Sequence, residues 1–283
     1  MASIISAIMN IINHPVIELK EYYNSHNRIN NIGESLEEYI KDAFANTIGE
    51  TDINKRNIKI SETFSYIGNQ NNPPDSIIKN GDAIEVKKIE NRFSGLALNS
   101  SYPKAKLFSN SKMITEACRK CESWIEKDII YAVGVVKNNK LSDLCFVYGI
   151  DYAASSDIYE RIRNAISKGI KNIPDVEFSV TNELGRVNRV DPLGITYLRI
   201  RGMWHIENPL KVFSYIYKPI QNSAFNLMAI INSEKYYSFN MNEIKELEEK
   251  SKHKNNLNIE DVLIKVPDNP ALLREAKLIT FSV

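Results

Sequence analysis

Pro73-Pro74-Asp75-Ser76-Ile77-Ile78-Lys79-Asn80-Gly81-Asp82-Ala83-Ile84-Glu85-Val86-Lys87-Lys88 reads as two short strands, 76–79 and 82–88, folded back on each other at Asn80-Gly81. That dipeptide favours hairpin turns. Side chains alternate faces along a strand, so Glu85 and Lys87 project together and Lys88 projects away. The direction of Asp75 depends on the loop. A two-residue loop at Asn80-Gly81 pairs Ser76 with Glu85 and sends Asp75 to the opposite face. A three-residue loop, Lys79-Asn80-Gly81 with Gly81 left-handed, pairs Ile78 with Asp82 and sets Asp75 across from Glu85. Three-residue loops with glycine in that place are common, and this second register is the one predicted.

With Asp75 on the same face, two carboxylates and an ammonium converge. Carboxylates hold a hard cation through oxygen. Such a cation polarises a phosphate and acidifies a bound water. A neighbouring lysine positions the water and offsets charge developing on the phosphate. The set therefore suits hydrolysis of a phosphodiester. Its bland counterpart is a solvated hairpin that exposes a Glu and a Lys. Asp82, beside Gly81, reads as a turn residue.

Outward from this hairpin the chain alternates between helix and strand patterns. Residues 2–12 and 15–24 read as helices broken at His14-Pro15, because proline is tolerated in a first helical turn and not inside a helix. Residues 34–48 carry Leu36, Ile40, Ala43, Phe44 and Ile48 at helical spacing. Residues 57–68 look extended. Residues 111–125 and 155–169 read as helices, and 194–201 as a strand. Residues 128–137 and 143–150 are rich in Ile, Val, Tyr and Phe, with Lys137-Asn138-Asn139-Lys140 turning between them. Residues 241–255 read as a charged helix, and the chain closes in a short apolar strand. The fold class this implies is α/β, a mixed β-sheet flanked by helices.

Composition narrows the function. Of 283 residues, 43% are hydrophobic and 25% charged, the balance of an ordinary globular protein. A net charge of +1 argues against a protein that coats nucleic acid, which needs a global basic excess. A local basic cleft offset by acidic ligands stays compatible with it. Three cysteines, Cys118, Cys121 and Cys145, do not make a disulfide framework and fit a reducing cytoplasm. A lone Cys118-x-x-Cys121 on an apolar helix side reads as core rather than as a zinc or redox site. The apolar run at 1–12 lacks a basic start and is too short to span a bilayer. The expected location is therefore the cytoplasm.

The same residues carry a resemblance. Pro74-Asp75 with Glu85-Val86-Lys87 resembles the PD-(D/E)XK nuclease superfamily. Asn72 to Asp75, Lys79 to Lys88, Ala97-Leu98-Asn99-Ser100-Ser101, Tyr148 to Ala153 and Gly185 to Pro209 resemble the NgoPII-type type II restriction endonucleases. The likeness covers roughly residues 1–218, so 219–283 is expected as a C-terminal extension of unknown role. The resemblance implies a restriction-endonuclease-like core that cuts double-stranded DNA at GGCC with Mg²⁺, leaving 5′-phosphate and 3′-hydroxyl ends. A companion methyltransferase would protect the same site. It implies Asp75 and Glu85 as metal ligands, with the Val86 carbonyl as a third, and Lys87 beside the nucleophile. A further glutamate is expected on the helix before the sheet. Glu37 neighbours Ile40 and Phe44, the inward side, whereas Glu38 neighbours Lys41 and Asp42, so Glu37 is chosen.

For DNA, Arg186 and Arg189 in or near a loop, and Arg199 and Arg201 on one strand face, are the best base readers. Arginine grips guanine O6 and N7 bidentately. Any one of them serves equally well as a phosphate contact, which positions without specifying. Lys104, Lys106 and Lys88 read as backbone contacts. A palindromic site calls for two-fold protein symmetry, so a homodimer is expected.

Overall fold

The apolar start of the chain folds as α1 (Ile4–Asn13), capped by Ser3, whose hydroxyl accepts from Ser6 N–H while the Ser6 hydroxyl accepts from Ser3 N–H. Seven of its ten residues are buried, so it is a core helix. Residues 2–19, 32–69, 72–98 and 100–283 are described in this computed structural model. Residues 15–17 are not helical and Glu18 bridges to Lys140. The remainder of the helix expected at 15–24 falls largely outside the described residues.

After α2 (Ile32–Ala45) comes α3 (Ile53–Thr63), then β1 (Phe64–Asn69), β2 (Asn72–Ile78) and β3 (Ala83–Ile89). The extended reading of 57–68 is thus corrected over its first half. Asp52 caps α3 by accepting from Asn54 and Lys55 N–H, and only Arg56 and Ile60 are buried. So exposed a helix carries almost no apolar periodicity. Next are β4 (Leu96–Ala97), β5 (Lys106–Phe108) and α4 (Glu116–Lys120). The expected helix 111–125 shrinks to this short piece. Thr115 accepts from Cys118 N–H and starts it late, while Arg119 donates to the Ser109 and Ser111 carbonyls and holds the preceding residues in turns.

β6 (Glu126–Lys137) and β7 (Lys140–Tyr148) form the expected hairpin, with Asn138 and Asn139 both at positive φ. This is the mirror-image turn that asparagine tolerates. There follow α5 (Gly149–Tyr152), α6 (Ser156–Lys171), β8 (Gly185–Val187), β9 (Leu198–Ile200), β10 (His205–Ile206) and α7 (Pro209–Val212). The strand expected at 194–201 is only β9. Asp191 accepts from the N–H groups of Leu193, Ile195 and Thr196, which keeps those residues in a loop. The chain ends with β11 (Asn226–Asn232), α8 (Ser233–Ser238), α9 (Met241–His253), β12 (Leu257–Val266) and β13 (Asn269–Ser282).

The main sheet runs β1-β2-β3-β6-β7-β11-β13-β12, with β5 joined to β6. β3 is parallel to β6, and β7 to β11. The other pairs are antiparallel. It is a mixed sheet with helices against it, the α/β core expected. One face packs under α1, α2 and α9 through Ile8, Leu36, Phe44 and Leu247. The opposite face packs under β4, β5 and the segment around α7 through Leu98, Leu107, Leu210 and Phe213.

Residues beyond 218 do not sit apart from this sheet. β11 is buried along its whole length between β7 and β13. Lys235 of α8 bonds Asp82 and Asp128, each at 2.7 Å, and Tyr148 donates to the other oxygen of Asp82 at 2.7 Å. The supposed extension therefore anchors the turn end of the β2–β3 hairpin. The short strand expected at the chain's end is instead one arm of a long hairpin. No helix among the described residues is long and apolar enough to cross a membrane.

Candidate active site

The β2–β3 hairpin takes the three-residue register. Ser76 pairs with Ile84 and Ile77 with Ala83, and Ile78 N–H donates to the Asp82 carbonyl at 2.9 Å. Continued one step, the ladder sets Asp75 across from Glu85. Asp75 Oδ2 accepts from Val86 N–H at 2.6 Å, which fixes the carboxylate beside β3. The left-handed residue is Asn80, with φ 56°, and not Gly81 as expected. Asparagine accepts that conformation. Space next to it is tight, since a Cβ on Gly81 would lie 3.1 Å from the Ile78 side chain. Asp82 is more than a turn residue, because it takes bonds from Lys235 and Tyr148.

Asp75, Glu85 and Lys87 line one cleft of about 730 Å³ with Lys104, Tyr131 and Arg201. Lys87 Nζ donates to Glu85 Oε1 at 2.6 Å. Glu85 Oε2 is buried and meets no donor among the described residues. An orphaned carboxylate oxygen in a protein interior is costly. Burial, then the charge of Glu85, push the Asp75 carboxyl up to about 7, against the pull of Lys87 and the Val86 N–H. Burial works against the Lys87 ammonium, yet Glu85 and Asp75 outweigh it and raise its affinity for the proton. Two carboxylates forced together out of water, one with a bare oxygen, make a donor set for a cation. No cluster of three or more His, Cys, Asp or Glu suited to a metal occurs among the described residues. Two carboxylates nevertheless suffice for Mg²⁺, which retains several waters.

Glu37 on α2 lies within electrostatic reach of this group, since its charge acts on both Asp75 and Lys87. Glu38 is committed elsewhere. It pairs with Lys41 at 2.6 Å and with Arg56, which also holds Asp42. Lys88 points to the face opposite Lys87, and its nearest carboxylate is that of Glu90 at 4.0 Å.

The basic residues separate into three situations. Arg201 lines the cleft, and with Arg199 it grips a single carboxylate, that of Glu183. The two guanidinium groups, Arg199 first, pull Glu183 down to about 2. Arg186 pairs with Arg199 across β8–β9 and stacks on Tyr197, its guanidinium 4.7 Å from the ring centroid. Arg189 sits in the following loop at φ 50°. Lys106 is held by Glu126 at 2.6 Å on the wall of a second groove of about 800 Å³. That groove shares Ser100, Ser101, Tyr102 and Lys104 with the cleft. Sequence reading did not find Glu183 or Tyr131. Glu183 could have been suspected from its place just before Gly185-Arg186, whereas Tyr131 offered no local signal.

Comparison with known proteins gives the family. The profile of the NgoPII restriction endonuclease family matches residues 2–265. The chain belongs to that family. The type II restriction enzyme NgoPII of Neisseria gonorrhoeae is similar over 282 residues at 52% identity, covering 99% of each chain. The likeness thus extends through β11 and β13, beyond the 1–218 stretch in which the sequence alone showed it. No solved structure matches the chain. Cys118 is buried and Cys121 half-buried, both as free thiols, which places this pair in the core of the opposite face.

Proposed function

We propose that the protein is a type II restriction endonuclease that hydrolyses both strands of duplex DNA at a short palindromic site, GGCC, with Mg²⁺. The observation that carries the reading is the convergence of Asp75, Glu85 and Lys87 in one cleft, with the Glu85 Oε2 oxygen unpartnered among the described residues. Membership of the family and the relative's activity support it. The site sequence rests on the family resemblance.

Asp75 and Glu85 would hold the metal, with the Val86 carbonyl as a further donor. The bound cation supplies an activated water and withdraws charge from the phosphate. The Val86 N–H keeps Asp75 turned toward Glu85. Lys87, fixed by Glu85, orients the nucleophile for in-line attack and offsets charge in the transition state. Glu37 adds negative potential behind the pair and would act at longer range. Cleavage leaves a 5′-phosphate and a 3′-hydroxyl. Arg186, Arg189, Arg199 and Arg201 would face bases and Lys88 and Lys106 the backbone. A homodimer would match the two-fold symmetry of the site. In a cell such an enzyme works in the cytoplasm beside a methyltransferase of the same specificity.

Digestion of unmodified DNA of known sequence tests this. Discrete fragments whose ends all map to GGCC are expected, and chelation of Mg²⁺ abolishes cutting. Unpatterned degradation would instead indicate a structure-selective nuclease.

A further inference from the structure

We propose that Lys104 is a second active-site lysine, which grips a non-bridging oxygen of the phosphate being cut. This deepens the nuclease reading above and rests on it. Lys104 is only 9% exposed, yet no carboxylate among the described residues lies within ion-pair distance of its ammonium. Other lysines in similar settings are compensated: Lys87 by Glu85, Lys127 by Glu122, and Lys235 by Asp82 and Asp128. Among the described residues, Lys104 Nζ has only the Ser101 hydroxyl and, at 3.5 Å, the Tyr102 carbonyl as acceptors. An ammonium carries three donors. A buried cation without a counter-ion is costly, and an anion entering the cleft would relieve it.

The position of Lys104 is built in through its main chain. Its N–H donates to Tyr131 Oη at 2.7 Å, and Tyr131 lies beside Glu85 in the parallel β3–β6 ladder. Gly149 lets the two chains close up, since a Cβ there would lie 2.3 Å from the Lys104 carbonyl oxygen. The ammonium, 5.2 Å from the Tyr102 ring centroid, stands where the cleft opens into the second groove. Lys87 is already engaged by Glu85. The two lysines therefore divide the work, Lys87 beside the nucleophile and Lys104 on the phosphate oxygen. Lys106, two residues on, is paired with Glu126 and has no such part.

The test uses a duplex whose cut position has been mapped with the wild-type protein. The scissile phosphate is replaced by a neutral methylphosphonate, and equilibrium binding is measured in EDTA. Wild type should lose roughly tenfold in affinity, the strength of one charge-assisted bond. Lys104→Met should bind the natural duplex roughly tenfold more weakly and show no further loss with the methylphosphonate. Lys104→Arg should keep the wild-type sensitivity, and Lys106→Met should show both losses independently. Single-turnover cleavage by Lys104→Met should fall roughly a hundredfold with no drop in melting temperature. If Lys104→Met does not fold, Lys104→Gln carries the same comparison. Equal methylphosphonate losses in wild type and variant would overturn the assignment while leaving the nuclease reading intact. A wild-type protein that cuts no defined site would overturn that reading itself.

Discussion

Replacing Asp75 with Asn should stabilise the metal-free protein while destroying its activity. Asp75 sits at about 7 because it is buried beside Glu85, whereas in the unfolded chain it returns to about 3.9. Its folded-state value is raised, so the native state binds the extra proton between those limits. Stability is therefore full below about pH 4, falls as pH rises to about 7, and stays low above. Each pH unit in that window costs at most about 1.4 kcal/mol, or about 4 kcal/mol in all. An amide retains the Val86 N–H bond but is itself costly to bury, so about half of that gain should appear. For a chain of this size about 2 kcal/mol corresponds to a rise of about 4 °C in melting temperature. Melting of wild type and Asp75→Asn should be followed in EDTA from pH 4.5 to 8.5. The difference should grow with pH up to about 7 and then level off. Added Mg²⁺ should raise the wild type's melting point and leave the variant's almost unmoved. A difference independent of pH, or a variant less stable than wild type at pH 8, would refute the picture of a carboxylate strained by burial and by Glu85.

Three other outcomes are expected. A chain ending at Lys218 loses β11, β12 and β13 and should show no cooperative unfolding transition by circular dichroism, because it leaves the β11 edge of β7 unpaired and takes α9 from the helical face. Lys235→Met strips the cation from Asp82 and Asp128 and should lower the unfolding free energy by about 3 kcal/mol, read from urea denaturation. Glu183→Ala releases Arg199 and Arg201 and should reduce the preference for the cleaved sequence over a scrambled duplex roughly tenfold. Paired binding titrations in EDTA measure that ratio.

The site's backbone was legible because its signals are local. Period-two alternation placed Glu85 and Lys87 on one face, and the Lys79-Asn80-Gly81 loop set the register that brings in Asp75. The residue taking positive φ was misread because asparagine and glycine both tolerate it. Glu37 over Glu38 followed from helix faces alone. What escaped depends on distant partners. β11 is a continuous apolar run, the pattern of a strand buried on both sides, and alternation is absent from it by nature. Lys104 reads as a DNA-backbone contact like Lys106, and its burial is hidden because Tyr131 and Gly149, which pack on its main chain, lie 27 and 45 positions away in sequence. α3 was missed since only Arg56 and Ile60 of its residues are buried.

Asp75, Glu85 and Lys87 are proposed to act together as one metal-dependent cutting site. Its most direct test is cleavage of sequenced, unmethylated DNA by wild type, Glu85→Gln and Lys87→Ala under one Mg²⁺ concentration, with every fragment end mapped. Wild type should give a discrete set of ends at one palindromic sequence, and both variants should still bind that sequence while cutting at least a thousandfold more slowly, on the order expected when a charge-stabilising group is removed. Variants that cut at the wild-type rate would show that these side chains take no part in the cleavage.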